Sequence, residues 1–230
     1  MALPNHVAII PDGNRRWARA KGLKPWEGHM VGTKLYWEIG YEALELGVKH
    51  ITFWAGSYDN LKKRSKIEVK FLIKLAITEL EKPTVLEECE KYQVRFRLIG
   101  QWREFVKDKK AVAAIENLEK QTAHFTEKTQ TILFAYDGKR EMENAVNTLT
   151  KNSVKATEKT IRESLWTGEL PDVDLVIRTG GEPHWSAGFM MWLTANSQFY
   201  FTEKLWPDFS KKELKKALDD YESRERRLGK

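Results

Sequence analysis

The chain has 230 residues, of which 41% are hydrophobic and 31% are charged, and its net charge is +6. This composition predicts one globular domain over residues 1–230 and argues against a disordered or fibrous protein. The single cysteine, Cys89, excludes an internal disulfide framework and a cysteine-based metal site, and it favours a reducing compartment such as the cytoplasm. The first four residues lack the basic and apolar regions of a signal peptide, so we expect none.

Short apolar, β-branched runs alternate with longer segments of helical period along the chain. The predicted strands are residues 6–10, 50–55, 94–99, 131–136, 173–178 and 198–201. The predicted helices span about 29–47, 65–92, 108–125, 139–151, 157–165 and 210–227. This alternation predicts an α/β fold, in which a mostly parallel sheet is flanked by helices.

The positive charge favours an anionic partner, either nucleic acid, an acidic lipid surface or a phosphorylated small molecule. Lysine-rich runs such as 211–216 are typical of a solvated helix face. A nucleic-acid binder would line a basic groove with exposed aromatic side chains. Because many of the nine tryptophans lie in apolar contexts, we expect no nucleic acid as partner. Residues 184–202 carry no charge, but their polar side chains favour a buried segment over a membrane span.

The loop after the first strand combines one acid with several polar and basic groups. It reads Asp12, Gly13, Asn14, Arg15 and Arg16. Arginine forks match pairs of phosphate oxygens, and glycine lets a backbone approach a ligand closely. A lone carboxylate would repel a diphosphate, but it fits if Asp12 holds Mg²⁺, which takes one or two carboxylates together with phosphate oxygens. The alternative is a Gly-Asn turn in which Asp12 is ion-paired with a neighbouring arginine.

Two further loops repeat this chemistry. Arg178 and Thr179 precede a Gly-Gly pair after the fifth strand, and the loop after the second strand adds Asn60, Lys62, Lys63 and Arg64. Each loop alone is compatible with an ordinary glycine turn or a solvated loop. The carboxyl ends of parallel strands meet at one edge of a sheet, where ligands gather. Together, therefore, the three loops predict a diphosphate-binding site.

Other phosphate-binding motifs are missing. GxxxxGK[ST] does not occur, and GxGxxG does not follow the first strand, which disfavours a P-loop nucleotidase and a dinucleotide-binding protein. The five histidines show no metal-ligand spacing.

Six motifs resemble those of the cis-prenyltransferases, the undecaprenyl diphosphate synthase family. They are HVAIIPDGNRRWA at 6–18, the pair Gly28-His29, DN…KRS at 59–65, DLVIRTGGE at 174–182, FYFTEKLWPDF at 199–209 and RERRLG at 224–229. The resemblance spans nearly the whole chain and keeps the order of the motifs. It implies a homodimer with a six-stranded sheet, an apolar prenyl tunnel and Mg²⁺ as cofactor. It also implies transfer of the prenyl group of an allylic prenyl diphosphate onto isopentenyl diphosphate with cis geometry.

The resemblance also implies roles for single residues. Asp12 would be the essential acid that handles Mg²⁺ and the departing diphosphate, with Asn60 beside it in catalysis. The implied binding residues for the allylic diphosphate are Gly13, Asn14, Arg15, Arg16, Trp17, His29 and Arg64. Those for the acceptor are Arg178, His184, Ser186, Gln198, Arg227 and Gly229, of which the last two match a C-terminal element that completes the neighbouring subunit's site. The hydrophobic product that the family makes is compatible with peripheral membrane contact of a cytoplasmic protein.

The acceptor side departs from the family pattern. His184 stands where the family has an arginine, and Gln198 stands where it has a glutamate that helps to bind magnesium. The segment 184–189 is one residue longer than usual, and Pro25 replaces a further arginine beside Lys24. A neutral imidazole does not replace a bidentate guanidinium.

A second hypothesis is therefore a prenyltransferase of this fold with short products or a non-standard acceptor, such as an alcohol or another alkene. A third, a noncatalytic partner subunit, would be expected to lack Asp12, Asn14 and Arg16, all of which are present.

Overall fold

Six strands form one sheet in the computed structural model, which describes residues 3–224. They are β1 (His6–Ile10), β2 (His50–Ser57), β3 (Val94–Ile99), β4 (Lys128–Tyr136), β5 (Leu175–Arg178) and β6 (Gln198–Phe201). Their order across the sheet is β3-β4-β2-β1-β5-β6, and each neighbouring pair is parallel. Because β1 lies between β2 and β5, the loops that follow these three strands adjoin at one edge, as predicted.

Helices connect the strands and cover both faces of the sheet. They are α1 (Asn14–Ala20), α2 (Glu27–Glu45), α3 (Tyr58–Lys63), α4 (Lys66–Leu80), α5 (Pro83–Tyr92), α6 (Lys109–Thr122), α7 (Gly138–Lys151), α8 (Glu158–Ser164) and α9 (Lys211–Ser223), with 3₁₀ turns at Trp102–Glu104 and Trp206–Asp208. The α/β class, the parallel sheet and the six strands are thus confirmed. Among the described residues, no helix combines the length and apolarity needed to cross a membrane.

The single helix predicted over 65–92 was wrong. The chain forms α4 and α5 there instead, because Pro83 cannot continue a helix and disfavours helical geometry at the residue before it. Lys82 has ψ 128°, which is extended backbone, and Pro83 becomes the first residue of α5. The short helices α1 and α3 were not predicted, since each has too few residues to display a helical period. The last predicted helix ends at Ser223 within the described residues, and 225–227 lie outside them.

The central strand β1 is buried on both faces. Val7 and Ile9 pack into the core beneath α2, α5, α6 and α9, while Ala8 and Ile10 pack into a second core with Phe189. Side chains of a strand alternate between the two faces, so a fully apolar run suits a strand that is covered on both sides. The strand that carries Asp12 at its end is therefore fixed by packing from above and below.

His6 ties the start of β1 to its neighbours. Its Nδ1–H donates to the carbonyl oxygen of Pro171 at 2.8 Å, and its Nε2 accepts from the Thr52 hydroxyl on β2 at 2.8 Å. Burial lowers the pKa of His6 from 6.5 to about 4, so the ring is neutral in the folded protein at pH 7.

This burial predicts that the protein loses stability as the pH falls. The unfolded chain binds a proton at His6 below about pH 6.5, whereas the folded protein binds one only below about pH 4. The free energy of unfolding should therefore fall within this window, by about 1.4 kcal/mol per pH unit for this histidine. Urea unfolding between pH 6 and pH 5 should show a shallower slope for His6→Asn than for the wild type.

A matched substitution at the exposed His124 provides the control, because folding does not bury that ring. His124→Asn should keep the wild-type slope. Equal slopes for His6→Asn and the wild type would contradict a neutral, buried His6.

Candidate active site

Asp12 lies where β1 ends, and its backbone carbonyl is fixed from two sides. The oxygen accepts hydrogen bonds from the backbone N–H of Trp206 at 2.9 Å and from the Thr179 hydroxyl at 2.8 Å. One of these donors follows β5 and the other follows β6. The position of Asp12 therefore depends on three segments that are far apart in sequence.

The carboxylate of Asp12 faces one arginine with each oxygen. Oδ2 lies 3.0 Å from Nη2 of Arg178, and Oδ1 lies 3.4 Å from Nη2 of Arg16. Arg178 is only 5% exposed, whereas the side chains of Asp12 and Arg16 are 36% and 44% exposed. The structure therefore contains the ion pair between Asp12 and a neighbouring arginine that the sequence offered as an alternative to metal binding. The carboxylate nevertheless stays accessible from solvent.

The buried guanidinium of Arg178 is held by further acceptors. Its Nη1 donates to Ser186 Oγ at 2.6 Å and to the carbonyl oxygen of His184 at 2.8 Å. Its Nε is buried without a hydrogen-bond partner within residues 3–224. An unpaired buried donor is costly, so this atom is a position where a bound anion would gain a contact.

The glycine turn after β5 allows the arginines and Asp12 to approach one another. Gly180 has φ +92°, and a Cβ there would lie 2.5 Å from Arg16 Nη2 and 3.2 Å from the Asp12 carbonyl carbon. A larger residue would therefore be strained and would displace Arg16. The turn is held by Gly180 N–H, which donates to the carbonyl oxygen of Lys204 at 2.7 Å.

Asn14 packs against α2 beneath the first loop. Its Nδ2 donates to the carbonyl oxygen of Pro11 at 3.2 Å. Its Oδ1 is buried, and a Cβ at Gly32 would lie only 2.1 Å from that oxygen. The amide thus fixes the loop from below, and glycine at position 32 lets α2 pass close to it.

Two further arginines of the cleft, Arg15 and Arg64, are grouped around one buried acid. Glu68, which is buried at the start of α4, has its Oε1 at 3.6 Å from Arg64 Nε and 3.8 Å from Arg15 Nε. Nearby, the pKa of His29 is lowered to about 3 by burial and then by the charges of Arg64 and Arg15. His29 is therefore neutral here, and its buried Nε2 has no partner in the described part of the chain.

Glu68 was not predicted from the sequence as a residue of the site. The spacing Ser65-x-x-Glu68 is that of a helix capping box, which would have placed this glutamate in the first turn of α4. The hydroxyl of Ser65 does accept from the backbone N–H of Glu68 at 3.2 Å. The carboxylate, however, lies near the two arginines and organises cations of the cleft.

These groups line a cleft of about 520 Å³ that adjoins a smaller apolar cavity of about 70 Å³. His29, Tyr36 and Ala55 line both, so the two lie side by side with these residues between them. The apolar cavity lies between α2, α4, α6 and the sheet, and its lining includes Leu72, Ile73, Ala76, Leu98, Ile115 and Phe134. Its acidic lining residue, Glu79, is paired with Lys82. A charged cleft thus lies beside an apolar one.

Most residues singled out in the sequence meet in this cleft. Those that line it are Asp12, Gly13, Asn14, Arg15, Arg16, His29, Asn60, Arg64, Arg178 and Ser186. Arg19 and Asp59 line it as well. His184 is joined to this set through Ser186, whose Oγ lies 3.0 Å from His184 Nε2.

Trp17 and Gln198 lie elsewhere. The indole N–H of Trp17 donates to Asp208 Oδ1 at 2.7 Å, which holds the ring against the turn after β6 and outside the cleft lining. Gln198 is the first residue of β6 and pairs in register with Leu175, the first residue of β5. It therefore lies where the parallel strands begin, whereas Asp12 lies beyond the point where they end. Neither contacts the cleft of its own chain. Arg227 and Gly229 lie outside the described residues.

The cleft offers a metal ion few ligands from the protein itself. Within residues 3–224, no three His, Cys, Asp or Glu side chains converge as a ligand set. Asp12 offers one accessible carboxylate among cations. This donor set suits Mg²⁺, which binds one or two carboxylates and completes its shell with water and phosphate oxygens of a substrate.

Comparisons with known proteins agree with this architecture. Residues 10–229 match the family model described as putative undecaprenyl diphosphate synthase. An isoprenyl transferase of Thermotoga maritima is 38% identical over 234 residues, which cover 100% of this chain and 98% of that protein. A (2E,6E)-farnesyl-diphosphate-specific ditrans,polycis-undecaprenyl-diphosphate synthase of Coxiella burnetii is also 38% identical, covering 99% and 96%.

A crystal structure of lavandulyl diphosphate synthase from Lavandula x intermedia, in complex with dimethylallyl diphosphate, has a similar fold. It superposes with a TM-score of 0.89 at 32% identity, covering 99% of each chain. Both the sequence match and the fold thus extend over the whole described chain. The protein is a prenyltransferase and belongs to the undecaprenyl diphosphate synthase family.

Proposed function

We propose that the protein transfers the prenyl group of an allylic prenyl diphosphate onto isopentenyl diphosphate and releases a longer prenyl diphosphate. The observation that carries the proposal is that a cationic cleft around Asp12 adjoins an apolar cavity at His29 and Tyr36. An allylic diphosphate has an anionic head and an apolar tail, so each part would meet its own environment. The names of the relatives support the same reaction class.

The reaction breaks the bond between C1 of the donor and the diphosphate oxygen. The electron pair of this bond leaves with the diphosphate. The terminal alkene carbon of the acceptor bonds to C1, and a proton is lost from the acceptor. Negative charge develops on the leaving group, so fixed cations at that position lower the barrier. Arg16, Arg15 and Arg64 would stabilise this charge, while Gly13 and Asn14 shape the loop around it. Bound Mg²⁺, held by Asp12 and phosphate oxygens, would act as a Lewis acid there.

The acceptor diphosphate is proposed to bind on the Arg178 side of Asp12. Arg178 supplies a buried guanidinium whose Nε lacks a partner among the described residues, and Ser186 supplies a hydroxyl at 2.6 Å from it. His184 lies at the rim and contacts Ser186. Asn60 also lines the cleft, where its exposed amide would reach the donor.

One set of observations favours a second function, transfer to a non-standard acceptor or formation of short products. His184 replaces a guanidinium with an imidazole, and the apolar cavity has only about 70 Å³. The neighbour from Lavandula x intermedia is named for lavandulyl diphosphate and holds dimethylallyl diphosphate. Product analysis with labelled isopentenyl diphosphate separates the two functions. Efficient labelling of long products would exclude the second, and consumption of an allylic diphosphate without incorporation of label would exclude the first.

We further propose that the protein works in the cytoplasm as a homodimer in peripheral contact with a membrane. The dimer is supported by the C-terminal motif with Arg227 and Gly229, which in the family completes a neighbouring site. Light scattering of the purified full chain should give twice the monomer mass of 26.8 kDa.

Replacing Asp12 with alanine should abolish turnover without unfolding the protein. The substitution removes the carboxylate that would hold the metal and leaves two guanidiniums facing each other, so we expect kcat to fall at least about 100-fold. Steady-state assays with an allylic diphosphate, isopentenyl diphosphate and Mg²⁺ would measure this, with circular dichroism to monitor the fold. Asp172→Ala is the control, because Asp172 pairs with Arg162 outside the cleft. Wild-type turnover by Asp12→Ala would refute the assignment.

Filling the apolar cavity at Ala76 should discriminate between donors of different length. Ala76→Phe places a ring in the cavity, so kcat/KM for farnesyl diphosphate should fall about tenfold more than that for dimethylallyl diphosphate. Thr78→Phe adds the same ring to the exposed face of α4 and should leave the ratio unchanged. An equal loss for both donors would argue against a prenyl chain in this cavity.

A further inference from the structure

Helix α4 carries apolar side chains that the core does not fully cover. Its two buried residues are both acids, Glu68 and Glu79. Its apolar residues are only partly buried, and Ile67 is 77% exposed. A surface helix of a globular domain usually turns its apolar side chains to the core. Most of the other apolar side chains of α4 pack on the core or line the apolar cavity, which leaves Ile67 and Phe71 outside both.

Two apolar side chains near the start of α4 lie beside the start of α2. Ile67 and Phe71 are one helical turn apart, and the Phe71 ring lies 6.4 Å from that of Trp26 at the start of α2. Met30, one turn beyond Trp26, is 45% exposed. We define the apolar patch as these four residues, Trp26, Met30, Ile67 and Phe71. Contiguous exposed apolar surface marks an interaction site.

A stripe of lysines borders the apolar patch. Lys66, Lys70 and Lys74 recur every four residues, which places them along one side of α4 beside the stripe of Ile67 and Phe71. None of the three forms an ion pair with another residue of 3–224. Two lysines on α9, by contrast, have partners, since Lys215 pairs with Asp219 and Lys216 pairs with Glu213. The charges on α4 are thus left for an external anion.

A groove of about 500 Å³ lies beside the same helix and combines both kinds of group. Its charged lining has five cations and one acid, and its apolar lining comes from α3, α4 and the loop before α6. The residues are Lys62, Arg64, Lys66, Lys70, Lys107 and Asp108, with Leu61, Val69, Ile73 and Phe105. It shares Arg64 with the cleft and Ile73 with the apolar cavity. An amphiphile with an anionic head fits this lining.

We propose that α4 and the start of α2 form a docking surface for a bilayer that contains anionic phospholipids. Apolar side chains of the patch would enter the interfacial region, while the lysine stems extend along it and keep their charges at the headgroups. The unpaired lysines supply the charge complementarity, and the groove provides a place for a headgroup. The inference rests on the proposed function only for the purpose of the docking. A protein bound through this surface could release an apolar product beside the membrane. The binding itself does not depend on catalysis.

The test is cosedimentation of the purified full chain with vesicles. We expect the protein to bind vesicles of mixed phosphatidylcholine and phosphatidylglycerol, and to bind phosphatidylcholine vesicles much more weakly. Added salt should weaken the binding to the mixed vesicles. Lys66→Gln combined with Lys70→Gln should lower the partition coefficient about 25-fold, or about fivefold for each lysine. Ile67→Asn should lower it about tenfold.

Matched controls come from the other side of the molecule. Lys151→Gln with Lys155→Gln removes the same charge, and Val146→Asn replaces an apolar residue that is 51% exposed on α7. Both should bind vesicles like the wild type. Turnover of dimethylallyl diphosphate, assayed without vesicles, should be unchanged in the α4 variants.

Three outcomes would overturn the inference. The wild type could fail to bind the mixed vesicles, or the α4 variants could bind as well as the controls. In the third, Ile67→Asn would halve the mass measured by light scattering, which would assign the patch to a second copy of the chain. Intact vesicle binding without prenyl transfer would contradict the proposed reaction and leave the docking surface supported.

Discussion

The site depends on a carboxylate that lies between a buried and an exposed guanidinium. Arg178 is almost fully buried at the end of β5, and a buried cation is tolerated only with a close counter-charge and acceptors for its N–H groups. Asp12 provides that charge because Ile10 pairs in register with Arg178, which puts the end of β1 beside it. The geometry of the sheet thus produces the pair, and the pair in turn fixes the two loops that border the cleft.

A graded environment extends from this pair into the molecule. Guanidiniums surround the mouth of the cleft, a neutral His29 and Tyr36 stand at the transition, and aliphatic side chains line the cavity behind them. Such a gradient matches a substrate with a charged head and an apolar tail. The partly exposed apolar side of α4 continues the gradient to the surface, so one helix contributes to the cavity wall and to the proposed membrane contact.

The sequence predicted the sheet and most of the cleft because both follow from local patterns. Apolar runs identified the strands, and polar loops after parallel strands share one edge, which brought Asp12, Arg64 and Arg178 together. The pattern could not show side-chain partners that are distant in sequence. Trp17 is held outside the cleft by Asp208, 191 residues further along, and Gln198 is placed at the opposite edge by strand register. The break at Pro83 was a local signal that the helical period of 65–92 obscured.

The central claim is that Asp12, with a divalent cation and the arginines around it, holds the diphosphate of the donor. A crystal structure with Mg²⁺ and a non-reactive thio analogue of an allylic diphosphate tests it most directly. We expect a metal ion held by Asp12 and the diphosphate, with Arg16 on the phosphate oxygens and the prenyl tail against Ala76. A diphosphate bound away from Asp12, with the carboxylate still on both arginines and the apolar cavity empty, would contradict it.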